Sequence, residues 1–449
     1  MYDLGIIGGG PAGYVAAEKA GHAGLKVVLF EGKELGGVCL NEGCIPTKSL
    51  LYSAKLYEHA LHGASFGINA SGVEYDYGTI FKRKNKIVKK LVRGVGSKMK
   101  VNHVEVISEF AVIRERSEGF IQLQAGNTDY QCKNILICTG SESVIPPIPG
   151  LEKDNILTSR EILNLEKIPE SLVVIGGGVI GCEFANFFST MGCKVTVIEM
   201  MDEILPGMDR EQSVLLRKEM ELTGVDFNLG CRVTSLKGKK VTFENDGEEQ
   251  SVEAAEVLIS VGRKPVTSGA GLENIGVELF RGGIKIDEHC RTNIPNVYAA
   301  GDVTGFSLLA HTASREGEVA VNNIAGKKDV MRYRAIPAVV YTNPEVAGVG
   351  LTEEMAGQKN IEYEVRSLPM TYAGRFMIEN ESFSGMCKIL VGKKYGEVLG
   401  VHMIGNPASE MIFGAAMAIE SEMTLDEMKE LIFPHPTISE IIKENVFTF

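Results

Sequence analysis

A chain of 449 residues, 44% of them hydrophobic and 23% charged, has room for about three domains and the make-up of an ordinary globular protein. Its formal charge of −12 argues against a nucleic acid or an anionic membrane as partner, and no run approaches the roughly 18 apolar residues of a membrane span. Nine cysteines, an odd number scattered along the chain, fit buried thiols in a reducing compartment, by default the cytoplasm, where a disulfide is catalytic rather than structural.

The N-terminus has no basic leader and reads at once as a strand, Leu4–Ile7. That strand runs into Gly8-Gly9-Gly10-Pro11-Ala12-Gly13, a GxGxxG loop, then a helical stretch from Tyr14 and a second apolar strand, Val27–Phe30, ending at Glu31. These are the parts of a dinucleotide site. Glycines (Gly8, Gly10, Gly13) let the backbone, with Pro11 and Ala12, approach a pyrophosphate at a helix N-terminus, and Glu31 holds a ribose hydroxyl.

Next comes Gly36-Gly37-Val38-Cys39-Leu40-Asn41-Glu42-Gly43-Cys44-Ile45-Pro46-Thr47-Lys48. Residues five apart on a regular helix lie about 140° apart around its axis, too far for the roughly 4.4–6.8 Å between the Cα atoms of a disulfide. If Cys39 and Cys44 pair, the segment must bend, and Gly43 permits it. Pro46 suits a first helical turn, and Leu50, Ala54, Tyr57 and Leu61 continue as an apolar stripe at helical spacing. Cys44 then lies near a helix N-terminus, where the dipole favours a thiolate. The stretch Phe81–Lys100 is basic and amphipathic and reads as a solvated helical face. Short strands follow to Gln131, with a turn near Glu118-Gly119, and a strand from Asn134 closes on Thr139-Gly140-Ser141 as an exit from a parallel sheet towards a ligand. Pro146–Gly150 reads as a linker.

The pattern then repeats. Strand Leu172–Ile175 leads to Gly176-Gly177-Gly178-Val179-Ile180-Gly181, a helix from Cys182, and strand Val195–Ile198 ending at Glu199. Glu31 and Glu199 each stand 23 positions after the first glycine of their loop. Two matched loops mean two dinucleotides, so the chain can seat a flavin beside a nicotinamide, with a dithiol as third station. Both acids would repel a 2′-phosphate, and no arginine follows Glu199 directly, which predicts NAD over NADP. Gly262-Arg263-Lys264-Pro265 closes this part. Strand Asn296–Ala300 ends in Gly301-Asp302, placing Asp302 to reach a ribityl or phosphate group, and Leu308-Leu309-Ala310-His311 opens a helix. From Ile336 the reading is antiparallel strands (Val339–Tyr341, Met386–Val391, Val398–Ile404), then helix Ala408–Glu422 and another capped by Thr424 and Glu427. Near the end, Phe433-Pro434-His435-Pro436-Thr437-Ile438-Ser439-Glu440 holds two readings: a second capping box, Thr437 with Glu440, or a base, His435, oriented by Glu440. His435-Pro436 is also a candidate cis bond.

With two GxGxxG loops, the Cys39/Cys44 spacing, Gly301-Asp302 and the terminal His-Pro-Thr-x-x-Glu, the chain resembles the class I flavoprotein pyridine-nucleotide disulfide reductases along nearly its whole length. Within them it is most similar to the dihydrolipoyl dehydrogenases, the E3 components of 2-oxo-acid dehydrogenase and glycine-cleavage complexes. It has Pro46-Thr47-Lys48 where glutathione-reductase-type members carry Pro-Lys-Lys, and Tyr341-Thr342-Asn343-Pro344-Glu345-Val346-Ala347 is similar to a stretch of the dihydrolipoyl enzymes. The resemblance implies an α/β protein with two Rossmann-like domains, for FAD and NAD, and a C-terminal α+β interface domain. The expected parts are residues 1–145 for FAD with the redox disulfide, 146–265 for NAD, 266–335 returning to the FAD and central domain, and 336–449 for dimerisation. It implies a Cys39–Cys44 disulfide with Cys39 meeting the lipoyl group and Cys44 facing the flavin, and Lys48 near the flavin paired with Glu183. FAD contacts are expected from Gly8, Gly10, Pro11, Ala12, Gly13, Glu31, Lys48, Thr139, Gly140, Ser141, Asp302, Leu309 and Ala310. Those for NAD are expected from Gly176, Gly178, Val179, Ile180, Gly181, Glu199 and Gly262. It further implies a homodimer in which His435, with Glu440, serves the other subunit's dithiol, and a lipoyl-carrying partner, E2 or the glycine-cleavage carrier. Two other readings stay open: an NADH-dependent reductase of another small disulfide, and a flavin-bearing structural subunit without turnover.

Overall fold

A computed structural model describes residues 1–152, 156–380 and 384–449. They form two compact units: residues 1–49, 81–144 and 262–332 in one, and residues 50–80, 145–261 and 333–449 in the other.

The first unit is built on parallel strands Glu105–Ile107, Val27–Phe30, Tyr2–Ile7, the end of Thr128–Ile137, and Val297–Ala299, side by side in that order. Val27–Phe30 and Leu4–Ile7 are buried at every position, because a parallel sheet covered on both faces takes a continuous apolar run. An antiparallel meander, Ala111–Ser117, Phe120–Ala125 and the start of Thr128–Ile137, extends the same sheet. Helices Pro11–His22 and Ala310–Ile324 approach closely. A Cβ on Gly317 would stand 2.6 Å from the Ala12 carbonyl, so only glycine fits there.

The second unit repeats the scheme 168 positions on: helix Pro11–His22 corresponds to Val179–Thr190, with a residue-for-residue match in length. Its parallel strands run Val225–Asn228, Lys194–Ile198, Ser171–Ile175, Glu256–Ile259, and its meander, Arg232–Lys237, Lys240–Asn245 and Glu248–Glu253, is a separate sheet. The same unit holds a five-stranded antiparallel sheet in the order Ala338–Val340, Val346–Gly350, Val398–Ile404, Met386–Gly392, Tyr363–Pro369, packed against helices Ala408–Glu420 and Glu440–Val446. Helix Arg210–Leu222 is fastened to that sheet by Gln212, whose Nε2 donates to Ala347 O (2.8 Å) and Met403 O (2.7 Å). Lys388, 3% exposed, sits between Asp209 (3.0 Å), Glu211 (3.0 Å) and Glu353 (2.9 Å).

Some sequence expectations shift. The basic helix starts earlier, at Tyr77. Helix Ala408–Glu420 stops short because Glu422 takes φ +56°, which a helix cannot continue through. Leu61 is exposed, although Leu50, Ala54 and Tyr57 of its predicted stripe join the core. Strands Val346–Gly350 and Tyr363–Pro369 have no expectation behind them. In the first, glycines mask the apolar run: a Cβ on Gly348 would stand 2.8 Å from His402 Nδ1, and Gly350 takes φ +81°.

Candidate functional site

In the first unit the strands Tyr2–Ile7 and Val27–Phe30 deliver Gly8–Gly13 and Glu31 to one sheet edge. Gly8 takes φ +104°, and a Cβ there would lie 2.2 Å from Cys138 O; one on Gly13 would lie 1.9 Å from Gly8 O. Those two glycines serve the turn and the helix packing. Gly10 does neither. Its φ of −73° and ψ of −173° suit any residue, and the nearest atom to an added Cβ is 3.8 Å away. Its missing side chain leaves space on the outer side of the helix N-terminus, where Pro11 and Ala12 begin the helix. Glu31 stands beside it, Oε2 accepting from Gly9 N (2.8 Å) and Oε1 from Lys33 N (2.8 Å).

The same edge receives two more strand ends. Thr139 Oγ1 donates to Val266 O (2.6 Å), Gly140 takes φ +76°, and Ser141 Oγ donates to Asp302 Oδ2 (2.5 Å). Arg263 Nε donates to Ser141 Oγ (2.8 Å) and Nη2 to Ser141 O (2.7 Å). Burial raises the Asp302 carboxyl above the ordinary range, while the Ser141 hydroxyl and the Arg263 charge hold it back. The turn that presents Asp302 is anchored by Glu316, fully buried, whose Oε2 accepts from Gly301 N (2.6 Å). Leu309, in extended conformation, leads into the helix begun by Ala310. Arg263 was quoted in the sequence without a role, and Glu316 gave no signal there, since a lone glutamate in a helix reads as surface.

Helix Gly37–Glu42 ends at Gly43 (φ −146°, ψ −112°), and a new helix starts at Cys44. The bend is the one the five-residue spacing demands, and glycine suits it: a Cβ on Gly43 would crowd Val38 O at 3.0 Å. Across the bend the Cys39 and Cys44 thiols are hydrogen-bonded to each other. That bond and burial push the Cys39 thiol far up; the Lys48 charge lowers it and the Asp302 charge raises it. Cys44, exposed at the helix N-terminus, is the sulfur whose thiolate the helix dipole favours. The seven other cysteines are all buried.

In the second unit the geometry recurs. Gly176 takes φ +107°, and a Cβ on Gly181 would stand 2.0 Å from Gly176 O. Gly178, before Val179 and Ile180 in the first helical turn, has φ −73° and nothing within 4 Å of an added Cβ. Glu199 Oε2 accepts from Gly177 N (2.5 Å) and Oε1 from Met201 N (2.8 Å), as Glu31 does from Gly9 and Lys33. Met200 and Met201, exposed, follow it in the chain, and the Glu199 charge would repel a 2′-phosphate. Glu183, buried in the same helix, accepts from Tyr341 N (3.0 Å). Gly262, at φ +116°, belongs to the first unit.

The terminal segment holds parts of both readings. The Thr437 hydroxyl donates to Pro434 O (2.8 Å) rather than capping the helix, whereas Thr424 and Glu427 do form a full capping box. Glu440 accepts from Thr437 N (2.9 Å) and faces His435 Nδ1 at 3.0 Å and 3.1 Å. The Thr437 amide first, then His435, hold the Glu440 carboxyl below its usual range. His435-Pro436 is cis, and the His435 side chain is 79% exposed on the single chain.

Each dinucleotide edge thus has a helix N-terminus opened by a dispensable-looking glycine and an acid for a ribose hydroxyl. The first adds Asp302 and the dithiol and fits FAD; the second, where Glu199 would repel a 2′-phosphate, fits NAD. Among the described residues no helix is long and apolar enough to cross a membrane.

Comparison with known proteins agrees. Residues 2–317 match the pyridine nucleotide-disulphide oxidoreductase family and residues 336–446 its dimerisation domain, which makes the assembly a homodimer. The chain is 39% identical to a dihydrolipoyl dehydrogenase of Geobacillus stearothermophilus, over 98% of this chain and 94% of that one. It is 40% identical to the mitochondrial dihydrolipoyl dehydrogenase of Pisum sativum, over 98% and 90%. Among solved structures it is similar to LpdA of Mycobacterium tuberculosis (TM-score 0.91, 27% identity, 99% of each chain). It is also similar to the HOCl-induced flavoprotein disulfide reductase RclA of Escherichia coli (TM-score 0.86, 28% identity, 99% of each chain). By its paired nucleotide loops, its Cys39/Cys44 dithiol and these matches, the chain belongs to the pyridine nucleotide-disulphide oxidoreductase family.

Proposed function

We propose that the chain oxidises a protein-bound dihydrolipoyl group to lipoyl and reduces NAD, as the dihydrolipoyl dehydrogenases to which it is similar are named for doing. The observation that carries this is the hydrogen-bonded Cys39/Cys44 pair, bent at Gly43 and set at a helix N-terminus in the unit that also holds the FAD cradle. When bound, FAD supplies the two-electron carrier between the dithiol and NAD. The residues hold the roles that the family resemblance implies, with Lys48 paired to Glu183, and the domains are 1–145, 146–265, 266–335 and 336–449.

The chain's own chemistry is disulfide exchange. His435 takes a proton from a dihydrolipoyl thiol through Nε2, because Glu440 holds Nδ1. A thiol of pKa near 8.5 is only a few per cent ionised at pH 7, so this base supplies about 2 kcal/mol of missing thiolate. The thiolate attacks Cys39 of the oxidised pair, breaking the Cys39–Cys44 bond and expelling Cys44 as thiolate. The second lipoyl sulfur then closes the lipoyl ring and releases Cys39 as thiol. The leaving sulfur is the one at the helix N-terminus, and a stabilised thiolate leaves faster. In the dimer each subunit's His435 serves the other subunit's dithiol, and the lipoyl group arrives on E2 or on the glycine-cleavage carrier.

The test is NADH formation from dihydrolipoamide and NAD, set beside NADH consumption with glutathione disulfide. Turnover with dihydrolipoamide that is abolished in Cys39→Ser and Cys44→Ser supports the reading. Faster turnover of glutathione disulfide, or full activity in either serine variant, removes it.

A further inference from the structure

Helix Tyr77–Val101 carries nine lysines and arginines and no acid, which leaves −21 on the rest of a chain whose total is −12. At about 100° per residue, Lys82, Lys86, Lys89, Lys90, Arg93 and Lys100 fall within an arc about 100° wide, a straight ridge about 27 Å long. All six are exposed. Among the described residues none of the six forms an ion pair, whereas Lys98, off the arc, meets Glu18 at 3.0 Å. The other cations of the helix are engaged otherwise: Arg83 Nη1 donates to Ser49 O (3.2 Å) and Oγ (3.1 Å), and Lys84 is buried over the Phe81 ring.

A helix that needed only solubility would mix signs along its exposed face. Here like charges stand four apart (Lys82 and Lys86, Lys86 and Lys90, Lys89 and Arg93), an arrangement that repels itself. We propose that this ridge is a docking surface for an acidic protein, the one that carries the dihydrolipoyl group; the inference rests on the function proposed above. Its charge is opposite to that of the rest of the chain, so a compact acidic domain confined to the ridge is attracted. An extended polyanion, a nucleic-acid duplex or an anionic bilayer, would also meet the field of the rest of the chain, which carries −21 in all. The helix is also tied to the redox segment within the first unit, since Arg83 bonds Ser49, in the helix that begins at Cys44.

The experiment uses the flavin-loaded dimer and the triple variant Lys86→Glu/Lys89→Glu/Arg93→Glu, with the matching glutamine triple as a graded control; both residues keep helix propensity. The probe is an isolated lipoyl domain of known net negative charge, labelled for fluorescence anisotropy, so that binding is read without turnover. The wild-type protein should lose affinity as the Debye length shrinks from about 30 Å to about 8 Å between 0.01 M and 0.15 M salt. The glutamate triple should bind about tenfold more weakly at low salt, at the lower end of electrostatic effects on encounter, and lose that salt dependence; the glutamine triple should fall between. KM and kcat for free dihydrolipoamide should not change. Equal affinity in wild type and triple, an equal loss with free dihydrolipoamide, or tighter wild-type binding to phosphatidylserine vesicles or duplex DNA than to the lipoyl domain each overturns the proposal. Should free dihydrolipoamide not be oxidised at all, the functional reading fails, while the binding comparison still decides the ridge.

Discussion

Gly178→Ala separates a ligand's demand for glycine from the fold's. At Gly176 and Gly181 the fold itself needs glycine, through φ +107° and a 2.0 Å clash. At Gly178 neither reason exists: φ is −73° and an added Cβ meets nothing within 4 Å. Alanine there should leave stability within about 0.5 kcal/mol, or raise it slightly by restricting the unfolded chain. What the methyl group meets is the NAD pyrophosphate drawn close to the helix N-terminus. Overpacking by one methyl costs about 1–3 kcal/mol, so the Kd for NADH should rise about tenfold to a hundredfold. Flavin content should be untouched, because Gly10 and its loop lie in the other unit. The assay is NADH titration by fluorescence beside thermal melting and flavin absorbance, with Gly181→Ala as contrast, which should lose stability and NADH binding together. Unchanged NADH affinity in Gly178→Ala, or a drop in Tm of several degrees, would refute the reasoning.

Three further outcomes follow from the geometry. Mixing subunits of Cys39→Ser with subunits of His435→Ala should restore part of the activity, read as NADH formation; mixed dimers that stay inactive while both parents hold FAD would end the shared-site idea. Lys388→Met should destabilise by about 3 kcal/mol by stranding the buried Asp209 carboxylate, and Lys388→Met/Asp209→Asn should recover much of it in urea unfolding; a single-variant cost below about 1 kcal/mol would show the cluster to be solvated. Burial lowers the Lys84 ammonium to about 8 from an ordinary 10.5, so its charge opposes folding fully below about pH 8 and the penalty fades as pH rises towards 10.5. Lys84→Met should therefore be more stable than wild type by about 1 kcal/mol at pH 7, and the two should converge above pH 10; an equal gain at both pH values would contradict this.

Much was legible because its signals are local. A strand, three glycines, a helix, a strand and an acid must occur in that order for a dinucleotide loop to close, and both copies did so at the same spacing. The bend at Gly43 was likewise forced by a five-residue spacing that no straight helix accommodates. What escaped depends on distant partners. Glu316 reads as a surface glutamate until Gly301 is brought to it, and Thr437 with Glu440 reads as a cap until the Thr437 hydroxyl is found on Pro434 O. Strand Val346–Gly350 hid behind glycines whose reasons, His402 for Gly348 and the Leu399 carbonyl for Gly350, lie about fifty residues away.

The order of residues alone determined that two nucleotide loops exist and that the Cys39/Cys44 segment bends if the two pair, since each is written within about thirty consecutive positions; it left the segment of His435 and Glu440 with two readings. Only the tertiary structure decided what surrounds the dithiol, because Asp302, far along the chain, is brought to face Cys39 by folding, while Cys44 is left exposed. It alone showed that the six cations which spacing puts on one helical face form no ion pair among the described residues, because the whereabouts of the acids is a property of the folded chain.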